Sequence, residues 1–364
     1  MNFVCTRCGR KEAVTTRAAH CTCGGLWKLE ADLPAFDLSG VDTHEWSLFR
    51  YRKFMALEDE SWRAVTMGEG MTPVVRLDED VLLKMDYFMP TLSFKDRGAA
   101  VLIAHCKSIG VDQVVQDSSG NAGNAVAAYC ARSGIGCEIF VPEGTSPKKI
   151  DMIRAHGAVC TVVPGTRDHC ADVCREKVER EGVYYANHVY NPFFYEGTKT
   201  YIYEVFEQLG RIPANLVIPV GNGTHFLGAI YALEHLFNSG VIDRFPQIIA
   251  LQSQNCDPLL RAAEHGKTEP EAVMPAPTIA EGIAIGKPMR GEEILRLAKK
   301  HGVRFVHAPE DKILEARAAL ARKGVYCEHT TAANYAAYLE YRRLNGPTPD
   351  TLLTMCGAGL KSDH

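Results

Sequence analysis

Residues 113–133 read QVVQDSSGNAGNAVAAYCARS. Gln113, Val114, Val115 and Gln116 predict a short strand, since two β-branched residues side by side suit a pleated, buried surface. Asp117, Ser118, Ser119 and Gly120 are turn residues. From 122 to 133 the alanine-rich pattern predicts a helix. The same strand–loop–helix unit recurs along the chain. Further strands are expected at 81–85, 137–141, 159–163, 216–220, 248–252, 304–306 and 351–355, with helices at 98–108, 167–181 and 312–323 between them. Alternation of this kind implies an α/β fold of parallel sheets covered by helices, with ligands held in loops at the carboxyl ends of strands.

Three loops stand at such positions. In 117–124, hydroxyls and backbone N–H groups at a helix start form an anion site suited to a carboxylate; the alternative is a turn capped by Ser or Asn. In Thr91-Leu92-Ser93-Phe94-Lys95-Asp96-Arg97-Gly98 a lysine opens a helix, where the N-terminal dipole lowers its preference for the charged form. A neutral amine is what a Schiff base requires, although a lysine in this setting read by itself is a solvated charge. The third loop, Gly221-Asn222-Gly223-Thr224-His225, is a glycine-rich strand-to-helix turn whose amides can reach a phosphate; a plain turn has the same composition.

The chain has 364 residues, enough for two packed lobes and a small extra module. A net charge of −4 without a basic block gives no footprint for nucleic acid, and the apolar runs are too short to span a membrane. The N-terminus lacks the apolar stretch of a secretory signal. Thirteen cysteines, an odd count, sit mostly singly in apolar stretches such as those around Cys106, Cys130 and Cys137, which points to reduced thiols and a cytoplasmic location. The exceptions are Cys5, Cys8, Cys21 and Cys23. Two close thiol pairs, followed by Gly24-Gly25, can supply four sulfurs to one tetrahedral Zn²⁺; the alternative is a small β module with free cysteines. A polar stretch at 37–42 reads as a linker.

The order of these signals, SFKDRG, then SSGN, then a glycine-rich loop, then a C-terminal GLK, resembles the threonine synthase family. The likeness runs through Gly70-Met71-Thr72-Pro73, Asn191-Pro192, Glu196-Gly197 with Lys199-Thr200, Gly282–Gly286, Tyr326-Cys327-Glu328 with Ala332-Ala333, and Cys356–Lys361. It implies the two-lobed, tryptophan synthase β-like architecture of fold-type II pyridoxal-phosphate enzymes, preceded by a cysteine-rich ribbon. The implied division is a ribbon at 1–34, a large cofactor-binding lobe of 35–97 and 190–364, and a small mobile lobe of 98–189. It also implies a homodimer acting on a small amino acid.

The resemblance further implies roles. Lys95 forms the Schiff base with pyridoxal 5′-phosphate, and Phe94 neighbours it under the ring. Asn121 bonds the cofactor's 3′-oxygen, while Ser118, Ser119 and Gly120 receive the substrate carboxylate. Gly221, Asn222, Gly223, Thr224 and His225 hold the phosphate, and Cys356 faces the pyridine nitrogen. A neutral thiol there makes the ring a milder electron sink than a carboxylate would.

The chain departs from the family around the substrate. The family's Thr after SSGN is Ala122, and its Arg before Glu-Gly is Phe194, so two phosphate-binding groups are missing. Met89 and Leu92 stand where Asn and Gly are frequent, and His225 where Asn is common. Lys148, Lys149, Arg167, His188 and His225 are the cations that could compensate. The expected activity is a threonine-synthase-type carbon–oxygen lyase. The alternatives are β-elimination or β-replacement on serine, threonine, phosphoserine or a related amino acid (resembling a dehydratase or cysteate synthase), or cofactor binding without turnover.

Overall fold

The computed structural model describes residues 1–57 and 59–361. It begins with a three-stranded antiparallel sheet of β1 (Asn2–Cys5), β2 (Lys11–Ala13) and β3 (Trp27–Glu30), with β1 in the centre. A six-stranded sheet contains β4 (Val74–Arg76), β5 (Val81–Lys84), β10 (Asn215–Pro219), β11 (Gln247–Ser253), β12 (Arg304–Ala308) and β13 (Thr351–Thr354). Its order is β12-β11-β10-β13-β5-β4. A four-stranded sheet contains β6 (Gln113–Gln116), β7 (Gly136–Pro142), β8 (Val159–Val163) and β9 (Tyr184–Tyr185) in the order β8-β7-β6-β9, all parallel. Every strand expected from the sequence forms, and in the two larger sheets the pairings are parallel except at β4, which joins β5 antiparallel. An edge strand can do so because Val74–Arg76 precedes a short turn and needs no crossover.

Ten helices cover the two larger sheets: α1 (Lys95–Ser108), α2 (Asn121–Ser133), α3 (Pro147–Ala155), α4 (Arg167–Glu181), α5 (Phe193–Leu209), α6 (Thr224–Asn238), α7 (Pro258–Glu264), α8 (Gly291–Lys300), α9 (Ile313–Arg322) and α10 (His329–Asn345), counted among the described residues. Their ends follow local chemistry. The Ser146 hydroxyl caps α3 by accepting from Lys149 N, Thr166 caps α4 by accepting from His169 N, and α2 stops at Gly134 with φ 71°. The polar stretch 37–42 is a short capped turn in which Asp37 accepts from Ser39 N, and the chain beyond it, Leu48–Phe54, is largely buried.

Three helices that carry the site cross at close range because glycines stand at the contacts. A Cβ on Gly197 of α5 would lie 1.9 Å from the Arg97 carbonyl oxygen of α1, and one on Gly228 of α6 would lie 2.1 Å from Thr198 Oγ1 of α5. Behind α1, Arg97 binds Asp86 at 2.7 Å and Glu204 at 2.7 Å, and Lys84 binds Glu204 at 2.8 Å, all four side chains fully buried. A buried ion network of this sort fixes geometry, since removing one member strands the others.

The cysteine-bearing sheet is packed into the same core. Phe3 lies edge-on to Phe193 at 5.9 Å, and Phe193 is stacked on His105 at 3.7 Å. Arg290 donates to the carbonyls of Trp27 at 2.8 Å and Val189 at 2.8 Å, tying β3 to the segment before α5. No helix among the described residues is long and apolar enough to cross a membrane.

Candidate active site

The three loops singled out in the sequence lie around one cavity of about 260 Å³. Each ends at a helix N-terminus. Lys95 is the first residue of α1, Gly120 precedes α2, and Gly223, with φ 78°, precedes α6. The loop at 117–121 is tight because Gly123 has no side chain; a Cβ there would lie 1.9 Å from the Ser118 carbonyl oxygen. The Ser93–Lys95 turn is pinned from across the cavity, where Phe94 N donates to the Cys356 carbonyl at 3.0 Å. Leu92 takes φ 60° to make this turn, a left-handed conformation that explains why glycine suits the position, and one that costs about 1–3 kcal/mol in a non-glycine residue.

Lys95 Nζ donates to Thr224 Oγ1 at 3.0 Å and stands 4.5 Å from the centre of the Phe94 ring. Burial pushes its ammonium down to about 8, against a smaller opposing pull from Cys356 and Glu328. Phe94 in turn is stacked on His225, with centroids 4.5 Å apart, and Tyr201 meets His225 edge-on at 4.4 Å. Burial lowers His225 to about 3, so its ring is neutral, and both of its buried nitrogens are without a hydrogen-bond partner.

Cys356 lies on the same cavity, with Thr331 Oγ1 at 3.1 Å and a Glu328 oxygen at 3.7 Å. Burial, and then the Glu328 charge, push its thiol well above the ordinary value, so it is a neutral thiol. Asn121 Nδ2 donates to Glu328 Oε2 at 3.1 Å. Glu328 and Lys361 are cavity residues to which sequence reading gave no role. The signal available for both is their place in Tyr326-Cys327-Glu328 and Cys356–Lys361, two of the stretches that carry the resemblance.

The cations that could replace the missing phosphate clamp divide. Lys149, Arg167, His188 and His225 line the cavity, whereas Lys148 donates to the Leu360 carbonyl at 3.1 Å. Lys149 is paired with Glu281 at 2.7 Å across the opening. Burial holds His188 well below its ordinary value, so it is neutral too. Phe194 is fully buried behind Lys95, its ring 5.8 Å from Nζ and 5.7 Å from the His188 ring. Ala122 is buried at the first turn of α2.

At the other end of the chain, the sulfurs of Cys5, Cys8, Cys21 and Cys23 lie within 4.8 Å of one another. A Cβ on Gly25 would come within 2.5 Å of Cys5 Sγ, so the glycine is what lets the second turn close on the first. Tetrahedral sulfur ligands around zinc are about 3.8 Å apart, a spacing this cluster fits.

A parallel two-sheet fold with a lysine amine, an SSGN turn and a glycine turn on one cavity defines a pyridoxal-phosphate-dependent enzyme, and the chain belongs to that family. The family model described as pyridoxal-phosphate dependent enzyme matches residues 65–357. Within it, the chain is a member of the threonine synthase family. It is 31% identical to the threonine synthase of Mycobacterium leprae over 80% of this chain and 81% of that one. It is 29% identical to the threonine synthase of Methanocaldococcus jannaschii over 91% and 85%. Among solved structures it is similar to a threonine deaminase from T.th., with a TM-score of 0.70, 26% identity and coverage of 82% and 96%. Maize serine racemase shares the fold, with a TM-score of 0.69 at 19% identity over 84% and 94%.

The residues present fit the cofactor. Gly221 and Gly223 are hemmed in, a Cβ on the second lying 2.4 Å from Ile294, and both line the cavity ahead of α6. Phosphate is held by such N-terminal amides in other folds. A lysine lowered to about 8 has a substantial neutral fraction near physiological pH, as carbonyl condensation requires.

Proposed function

We propose that this chain is a carbon–oxygen lyase of threonine synthase type, which acts on a small amino acid by elimination or replacement. The observation that carries the reading is the Lys95 amine, lowered to about 8 and set on one cavity with Ser118, Asn121 and the 221–225 turn. Lys95 holds the cofactor covalently and, when free, takes the Cα proton as general base. Phe94 flanks it, and Asn121 binds the 3′-oxygen. Ser118, Ser119 and Gly120 receive the substrate carboxylate through hydroxyls and N–H groups at the head of α2. Gly221, Asn222, Gly223, Thr224 and His225 would take the phosphate, and Cys356 would face the ring nitrogen. Bound here, pyridoxal phosphate supplies an electron sink for the charge that develops at Cα.

The neutral fraction of Lys95 accepts a proton without a prior deprotonation, and the hydrogen bond that the amine donates to Thr224 Oγ1 fixes its position. Residues 98–189 serve as a small domain carrying the substrate loop, against a large domain of 35–97 and 190–364. The first 34 residues hold a structural Zn²⁺ through Cys5, Cys8, Cys21 and Cys23. The enzyme works as a cytoplasmic homodimer.

A second reading has support of its own: β-elimination or β-replacement on serine, threonine, phosphoserine or a related amino acid. Phe194 and Ala122 supply no charged group beside Lys95 and His188 is neutral, which leaves Arg167, from the small lobe, as the guanidinium on the cavity in place of the family's own. Product analysis separates the two. Threonine and inorganic phosphate from phosphohomoserine support the first; a 2-oxoacid or β-substituted alanine from the other amino acids supports the second. A protein that takes up the cofactor but turns over none of them is a binder without activity.

A further inference from the structure

Glu328 stands immediately before α10, yet its carboxylate does not cap that helix and turns into the cavity instead. Oε2 accepts from Asn121 Nδ2 at 3.1 Å, and Oε1 accepts from the Cys356 thiol at 3.7 Å. The seat depends on a glycine: a Cβ on Gly357 would lie 2.0 Å from Glu328 Cδ. The Cys356 sulfur also meets Thr331 Oγ1 at 3.1 Å, and that hydroxyl accepts from Gly357 N at 3.0 Å.

The groups around this carboxylate come from every side. Burial raises this carboxyl above its ordinary value, against the opposing pull of the Asn121 hydrogen bond, Lys361 of the C-terminal turn and Lys95 of α1. Cys327 flanks it as a second thiol, and behind it Arg317 engages His329 Nε2 at 3.0 Å and the Cys327 carbonyl at 2.9 Å.

An ionised carboxylate only accepts hydrogen bonds, whereas a protonated one can also donate. While Glu328 is ionised it can only accept, so it draws the Cys356 S–H to itself against the competing Thr331 hydroxyl, and the sulfur turns lone pairs to the cavity. When Glu328 takes one proton from solvent, its O–H can donate to the sulfur and the S–H is released towards the cavity. The proton gained by the carboxyl is the only one that changes hands.

We propose that Glu328 is a positioning residue that holds Asn121 and Cys356 in one hydrogen-bonded triad, and that its protonation decides whether Cys356 offers a donor or an acceptor to a bound cofactor ring. The last step rests on the cofactor reading above; the triad itself does not.

The test uses the full-length chain, its Glu328→Gln and Glu328→Asp variants, and Gly357→Ala, which evicts the carboxylate by another route. In cofactor-free protein, iodoacetamide labelling of Cys356 is followed by mass spectrometry of its peptide at fixed pH. Loss of the neighbouring charge should speed labelling about tenfold, the equivalent of one pH unit in the thiol, in E328Q and G357A, with E328D close to the parent. In the loaded protein, the visible band should titrate in the parent and in E328D, and its midpoint should move or vanish in E328Q. Unchanged Cys356 labelling in E328Q and G357A overturns the triad. An unmoved band titration in E328Q overturns the protonation role. A labelling change in a chain that shows no visible band at all sinks the cofactor reading and leaves the triad standing.

Discussion

Lys95 and Thr224 join two helix N-termini, with Nζ donating to Oγ1 at 3.0 Å between the start of α1 and the start of α6. The lysine proposed to condense with the cofactor and the turn proposed to take its phosphate are thereby held in register. In Thr224→Ala the turn proposed to take the phosphate loses a hydroxyl donor. A hydrogen bond to a charged group contributes about 1.5–3 kcal/mol, so cofactor affinity should fall by roughly tenfold or more in a titration followed by absorbance. Unchanged affinity would show that the Thr224 hydroxyl takes no part in holding the phosphate.

The Lys95 ammonium is held at about 8, below its ordinary 10.5, mainly by burial. Only the neutral amine attacks the cofactor's carbonyl. The rate of cofactor uptake by the cofactor-free chain should therefore rise with pH and level off above about 8. A rise that continues to about pH 10 would mean that the amine is solvated, as an unperturbed lysine is.

Burial alone would raise the Glu204 carboxyl, but Arg97 and Lys84 overcome it and hold the group at about 2, against an ordinary 4.5. Its folded-state value is the lower one, so its contribution is fully present above about pH 4.5 and is lost as pH falls towards about 2. Glu204→Gln strands Arg97 and Lys84 and should cost about 3–5 kcal/mol in urea unfolding at neutral pH. In the variant, the part of the acid-induced loss of stability that comes from this group should disappear. A small cost and an unchanged acid profile would contradict the network's role.

Phe194 occupies a notch that Gly98 leaves open; a Cβ on Gly98 would lie 2.3 Å from the ring. Gly98→Ala should destabilise by about 1–3 kcal/mol through overpacking beside the Lys95 turn. Adding Phe194→Leu should recover part of that loss. Strict additivity of the two changes would rule the contact out.

The four N-terminal cysteines should hold one zinc ion per chain, measured by elemental analysis of protein prepared with zinc present. Cys8→Ser or Cys23→Ser should release it and lower the melting temperature, since the sheet they anchor is part of the main core through Phe3 and Trp27. Protein free of zinc under those conditions would leave the cluster as four thiols.

Much of this fold is legible because it rests on short-range patterns. Val114-Val115 or Leu216-Val217-Ile218 can be little else than buried strand, and each of the three loops follows or precedes such a unit. β9, only Tyr184–Tyr185, is too short to register as a period, and β4 is a strand because β5 lies beside it. In α5, polar residues such as Thr198, Lys199, Thr200 and Glu204 are buried, so the amphipathic pattern that marks a surface helix is missing. The strain at Leu92 and the inward turn of Glu328 follow from tertiary contacts with Ala358 and Gly357, distant in sequence, and no local signal announces them.

The most direct test of the central claim is to reduce the loaded protein with borohydride and map the modified peptide. The expected result is a yellow protein whose colour is lost on reduction, a phosphopyridoxyl group on Lys95, and neither colour nor adduct in Lys95→Ala. A label on another lysine, or a protein that takes up no cofactor, would contradict it.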